Sequence, residues 1–504
     1  MRRFPCRTSG VLMVGGLASL ALWAWIARLS GQFIWGESHL DRPIVEVVIG
    51  LLLAFVVYGW VWHMLRRGDA KTWHVEFIIG LAIAFRLVLL PTEMIQESDA
   101  YRYLWDGHVQ QAGISPYQYT PHRAELILQG YANGPEELVD FADTLQDNED
   151  AKRVLRRVSY GHLVTIYPPV AQAMFRLAAT VTPWRLSGLR LIMLAFDLLT
   201  LGVIGLALID RPAASRNAGL LLYAWSPLVL KEVVNAIHYD SLLALTLSSA
   251  ALLFVSAGRP WRSLAGSLVL GLAVAAKLYP LLLVPIVFAY QARRRAVLAL
   301  SGLAITLITV IVAYSPYMLA DHGSSTGSLD TFMTDWERNA SIHPLLQSGL
   351  EALGIESLAP LLPEGYREAA SSVATSAVLG CVIVGVVLWF AARVYRADSP
   401  SDLLLSAFIV VPVFAWCLSP VQNPWYLVGI VPLLAMHRRP MYAIVFLTGI
   451  VALRYLHFHF EYRDFEPSDA PRMWVVTAQF APFYLLALVE WLMMRRRRSV
   501  EPQL

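Results

Sequence analysis

Cysteine is nearly absent. Cys6, Cys381 and Cys417 are the three in the chain, and all lie in or beside apolar segments, which excludes a disulfide framework. Charge is scarce as well. Asp, Glu, Lys and Arg make up 15% of the 504 residues, against about a quarter in soluble domains, and an ordinary soluble chain is excluded. Lysine is reduced to Lys71, Lys152, Lys231 and Lys277, so nearly all the positive charge is arginine. No His and Cys cluster stands at metal-ligand spacing. There is no internal repeat, no low-complexity tract and no polar stretch long enough to fold as a separate soluble domain. Neither a cofactor nor a nucleic-acid partner is expected.

What is present is apolar sequence, 57% of the chain. Apolar runs lie near 10–29, 44–65, 75–92, 188–209, 217–235, 239–256, 263–277, 279–291, 297–317, 372–392, 403–418, 425–436, 441–457 and 473–493. They predict an all-α polytopic membrane bundle of about 13 to 14 spans. Several runs fall short of the roughly 20 residues a perpendicular span needs, so some must be broken, paired or buried among neighbours. The first run has the layout of a signal peptide, but it is long, and Ile26-Ala27-Arg28 makes a poor cleavage site; it is read as a retained span.

Arginine sets the orientation. Arg2, Arg3 and Arg7, Arg66 and Arg67, Arg211 and Arg216, Arg259 and Arg262, Arg293 to Arg295, Arg393 and Arg396, Arg438 and Arg439, and Arg495 to Arg498 all fall on one side of the expected topology. By the positive-inside rule that side is the cytoplasm, and both termini lie there. The whole chain, 1–504, reads as one integral-membrane unit with two long outer links, 93–187 and 319–370. Within the first, 135–158 reads as a charged, solvated helix. The apolar segment 168–181 reads as a helix lying at the outer interface.

The chain is organised around 96–121, which follows the apolar run ending at Pro91. Asp99, Asp106, Arg102, His108 and five Tyr and Trp residues crowd this stretch, as expected of a span opening into an interfacial site. Other polar residues converge on the same outer side: Tyr167, then Lys231, Glu232, Asn235, His238 and Asp240, then Lys277, then Gln422 and Asn423. Ionisable groups at membrane depth are costly and are functional candidates by default. Arg454, His457 and His459 read better as a capped helix end. Asp99 and Asp106 stand seven residues apart, two helical turns, which does not suit a metal pair.

A carboxylate beside cations at such an interface suits transfer from a lipid-phosphate sugar. The carboxylate takes the proton of the attacking hydroxyl, and the cations hold the phosphate as it leaves. A transporter or flippase of lipid-linked sugars is the alternative, although such a fold would show internal repeats. A purely structural assembly protein would not need Asp99, Lys277 and His238 on one side.

The strings Ser98-Asp-Ala-Tyr-Arg-Tyr-Leu-Trp-Asp-Gly107 and Gly113-Ile-Ser-Pro-Tyr-Gln-Tyr-Thr-Pro121 resemble the first outer loop of GT-C-type integral-membrane glycosyltransferases. The resemblance is to glycosyltransferase family 87 and to polyprenol-phosphate-mannose-dependent mannosyltransferases. Thr165-Ile-Tyr-Pro-Pro-Val-Ala-Gln172, Ala236-Ile-His-Tyr-Asp240, Ala276-Lys-Leu-Tyr-Pro280 and Ser419-Pro-Val-Gln-Asn-Pro-Trp-Tyr426 are similar to later blocks. The resemblance implies a bacterial inner-membrane enzyme with its site on the outer side. It implies Asp99 as general base in an inverting transfer of a hexose, mannose first, from a polyprenyl-phosphate donor to a lipid or glycan acceptor. Lys277, Arg102 and His238 would bind the donor phosphate. Tyr101, Tyr103, Asp106, Tyr167, Asp240, Tyr279 and Asn423 would shape the substrate pocket. Two departures stand out: Asp99 follows the third apolar run rather than the first, and Ser115 stands where Asn is usual.

Overall fold

Hydrocarbon offers no partner to a free N–H or C=O, so apolar runs must close their backbone hydrogen bonds within themselves. The chain, described here from a computed structural model, does so as helix: 78% of it is helical, with no strand among the described residues. Those residues are 5–256, 258–319, 328, 336–362, 364–367, 369–463 and 473–500. Eight helices are long and apolar enough to cross a membrane: Thr8–Ser30, His39–Arg67, Leu186–Leu208, Ala296–Met318, Ala370–Arg396, Pro400–Leu418, Tyr442–Glu461 and Met473–Arg496. Asp240–Val255, Pro260–Ala276, Tyr279–Ala292 and Pro424–Met436 are apolar but shorter. With Trp73–Leu89 and Ala213–Ala224 they account for every apolar run in the sequence. The protein is a polytopic helical membrane bundle.

The short helices are interrupted for local reasons. Pro227, which lacks an N–H, follows the end of Ala213–Ala224, and the chain restarts as Pro227–Val229. It then loosens into a π turn, Leu230–Asn235. Pro280 and Pro424 each open a 3₁₀ turn, Tyr279–Leu283 and Pro424–Ile430. Helices this short survive because protein surrounds them: in Asp240–Val255 the buried residues run round the whole helix. Ala296–Met318 is the opposite case, with Ile308, Ile311 and Val312 exposed as a lipid-facing surface.

One buried ion pair ties three helices together. Arg86, on Trp73–Leu89, grips Asp197, on Leu186–Leu208, through Nε to Oδ2 at 2.5 Å and Nη2 to Oδ1 at 3.0 Å. Tyr223 of Ala213–Ala224 donates to the same carboxylate at 2.9 Å. The guanidinium also donates to the carbonyls of Ala82 and Ala224. The paired charges and these extra hydrogen bonds make the group tolerable in an apolar interior.

The first outer link holds five helices: Asp99–Gln111, Pro121–Leu128, Glu136–Leu145, Glu149–Arg157 and Pro169–Val181. The single charged helix expected over 135–158 is two, because the Asn148 side chain accepts from Ala151 N–H and caps a new start. The helix expected over 168–181 forms as Pro169–Val181. It packs its Ala171, Gln172, Phe175 and Ala178 face on Asp99–Gln111 and leaves Leu177 and Val181 exposed. Gly107 makes that approach possible, since a Cβ there would collide with the Phe175 carbonyl. Of the second outer link, 319–370, the described part includes His343–Ala352 and short 3₁₀ turns; 320–327 and 329–335 lie outside the described residues.

Candidate functional site

Asp99 opens the helix Asp99–Gln111, where unpaired N–H groups and the helix dipole favour an anion. Tyr167 donates its hydroxyl to Asp99 Oδ2 at 3.4 Å. His238 Nδ1 stands 4.0 Å from the same oxygen. Asp99 borders a cavity of about 880 Å³, together with Glu97, Tyr101, Arg102, Tyr167, Lys277, Tyr279, Asn423 and Tyr426. Burial lifts its carboxyl above the usual range to about 6, with Asp240 adding to the rise; the Tyr167 hydroxyl, Lys277 and Arg102 oppose it. A carboxylate near neutrality is well matched to proton acceptance.

Lys277 follows the helix Pro260–Ala276 in extended conformation, before the 3₁₀ turn Tyr279–Leu283. Its ammonium bonds Asp240 Oδ1 at 2.5 Å and lies 3.9 Å from the centre of the Tyr426 ring. Asp240 is fully buried behind it. The cavity therefore meets a cation already paired on its far side.

Arg102 donates Nε to Asp106 at 2.8 Å and Nη1 to the Leu163 carbonyl at 2.9 Å, which leaves Nη2 buried without a hydrogen-bond partner. Asp106 is wholly buried and also accepts from Gln172 at 3.0 Å. It locks Asp99–Gln111 to Pro169–Val181 rather than facing the cavity. Tyr103 is likewise internal, stacked on Phe175 with centroids 4.5 Å apart and edge-on to Tyr167 and Tyr239. Tyr101 lies on the cavity wall and accepts from Arg157 at 2.7 Å.

The structure thus brings Asp99, Arg102, Lys277, Tyr101, Tyr167, Tyr279 and Asn423 to one cavity and sets His238, Asp106, Tyr103 and Asp240 behind its wall. Gln422 is buried and bonds the carbonyls of Cys417 and Ser419. Arg454, expected at a helix end, sits in the 3₁₀ turn Val451–Tyr455 and lines the cavity.

Asn235, one of the polar residues expected on this side, accepts from Ile95 N–H at 3.1 Å and donates to the Glu93 carbonyl at 2.7 Å, so it fixes the segment leading into Asp99. Other contributors escape a sequence reading. Ile237 adopts φ 64°, a genuine outlier for a β-branched residue, as the chain leaves the π turn to place His238. Arg42 and Arg338 join the cavity lining from other links, and Arg156 and Arg157 from further along the link that holds Asp99. Only the arginine-rich composition hinted at them.

A polytopic helical bundle with a cavity bordered by a raised carboxylate and several cations defines an integral-membrane protein. The sequence profile described as Glycosyltransferase family 87 matches residues 165–420, and the chain belongs to that family of glycosyltransferases. The match takes in Tyr167, His238, Asp240 and Lys277 and begins after Asp99. No curated protein and no solved structure matches the chain.

Proposed function

We propose that the protein moves a hexose, mannose first, from a polyprenyl-phosphate sugar to a lipid or glycan acceptor on the outer face of a bacterial inner membrane, with inversion. The observation that carries this reading is that the Asp99 carboxylate and the Lys277 ammonium open on one cavity. Asp99 removes the proton of the acceptor hydroxyl. The freed oxygen attacks the anomeric carbon, and the bond from that carbon to the phosphate oxygen breaks. The polyprenyl phosphate departs as a stable anion, so no second carboxylic acid is required. In this reading Lys277 and Arg102, both of which border the cavity, stabilise it. His238 supports the wall behind Asp99. The tyrosines of the wall offer faces and hydroxyls to the sugar, and the arginine-lined remainder receives the acceptor. No step uses a cofactor. Both termini and the arginine-rich links are cytoplasmic under this reading.

The test is transfer from synthetic polyprenyl-phosphate mannose by purified protein. Asp99→Asn keeps the shape and loses proton acceptance, so transfer should fall by about a hundred- to ten-thousand-fold. Asp106→Asn should fall less, since Asp106 bonds Arg102 and Gln172 away from the cavity. Near-normal transfer by a well-folded Asp99→Asn would remove the base. Full activity of both variants would leave the transfer with a different base, and no transfer at all by well-folded wild type would hand the site to a flippase reading.

A further inference from the structure

Behind Asp99 lies a second constellation that the transfer chemistry does not use. Glu97 comes from the link before the site helix, Glu232 from the π turn, and His238 from just after it. One potential ligand atom from each lies within 4.8 Å of the other two. His238 Nε2 is 3.6 Å from Glu232 Oε2 and 3.8 Å from Glu97 Oε2. The side chains are 9%, 1% and 0% exposed for Glu97, Glu232 and His238.

These separations are too long for hydrogen bonds. They are close to what one small cation imposes on its ligands, because bonds of about 2.0 to 2.2 Å place neighbouring donors about 3.4 Å apart in a tetrahedral site. The imidazole makes no hydrogen bond through either ring nitrogen, although it is fully buried, and Glu232 Oε2 makes none either. Leaving buried polar atoms unmet is costly. The ring is held in place by the Trp425 indole, stacked 4.1 Å away at 11°, and by the strained turn at Ile237. A rigid imidazole aimed between two carboxylates is a preorganised ligand set.

We propose that Glu97, Glu232 and His238 bind one divalent transition-metal ion, zinc or manganese. One imidazole and two carboxylates suit those metals better than calcium or magnesium, which prefer six or more oxygen ligands or retained waters. The two carboxylates match the double charge of the ion. Lys231 stands outside the ligand set, 3.7 Å from Glu232 Oε2 and 3.2 Å from the Tyr455 hydroxyl, and Tyr455 donates to Glu232 Oε1 at 2.7 Å. Such outer contacts orient a ligating carboxylate. With Nε2 on the metal, Nδ1 carries the proton and faces Asp99 Oδ2 at 4.0 Å. The ion therefore fixes the tautomer of the ring beside the base and anchors the backbone two residues before it.

The experiment is metal binding by the full chain in detergent, with no transfer assay involved, so its outcome is independent of the donor proposed above. Protein stripped with a chelator is titrated with zinc chloride and with manganese chloride, followed by calorimetry and thermal melting. One saturable site per chain and a metal-dependent rise in melting temperature are expected. Glu97→Gln, at the edge of the cavity, should weaken binding at least tenfold and abolish the rise, while its metal-free melting temperature stays near wild type. His238→Gln should do the same. X-ray absorption of the loaded protein should show one imidazole among oxygen donors. Absence of saturable binding by wild type, or undiminished binding by folded Glu97→Gln and His238→Gln, overturns the site.

Discussion

Lys277 is the residue whose surroundings argue most directly for an anionic ligand. It is held between a buried carboxylate and a tyrosine face and still borders the cavity. Lys277→Met keeps the stem and removes the charge. Donor binding should weaken by roughly ten- to a hundredfold, the worth of one charged hydrogen bond. The substitution also strands Asp240, so Lys277→Met with Asp240→Asn is the cleaner variant, compared by donor titration and melting. Wild-type donor affinity in that double variant would reduce Lys277 to a lysine reaching for the interface. Asp99 makes a pH prediction. Its folded carboxyl titrates near 6, above its ordinary value, so transfer by chelator-treated protein should fall as pH drops through about 6. The same shift means that the charged form opposes folding above that pH. At neutral pH, Asp99→Asn should melt no lower than wild type. At this scale the sequence marks Asp99, Lys277 and Tyr167 because polar residues beside long apolar runs are conspicuous. It does not separate cavity from wall: Asp106 and Tyr103 carry the same signal as Asp99 and Tyr101, and only the packing of Pro169–Val181 turns them inward.

Among the helices, apolar runs marked every membrane segment, because the hydrocarbon constraint acts on each run alone. What remained hidden was where runs break, since the π turn at Leu230–Asn235 and the 3₁₀ turns depend on neighbours as well as on proline. The Arg86 and Asp197 pair was hidden for a similar reason: the two lie 111 positions apart, and nothing local links them. Arg86→Met leaves a buried carboxylate with only Tyr223 to meet it, and a loss of about 3 to 5 kcal/mol is expected in unfolding experiments. Gly107→Ala forces the site helix away from Phe175. A loss of about 1 to 3 kcal/mol should follow, together with weaker transfer, because Asp99 rides on the displaced helix.

For the molecule as a whole, orientation is open to direct test. The link containing Asn133 should be outside, since the arginine-rich links lie on the other side. A cysteine at exposed Asn133 should react with an impermeant thiol reagent in intact spheroplasts, and one at exposed Arg294 should not. The reverse pattern would invert the topology. The cavity also draws its wall from both ends of the chain, from Phe33 and Trp35 to Phe458 and Tyr462. That has a consequence for biogenesis. A nascent chain inserted only as far as the middle helices holds Asp99 and Lys277 but lacks much of the cavity wall around them. Catalytic competence should arrive abruptly, when the segment around Tyr462 docks against the first link, rather than accumulate helix by helix. Two separately translated pieces, 1–295 and 296–504, should each be inert and should regain transfer when co-inserted in one membrane.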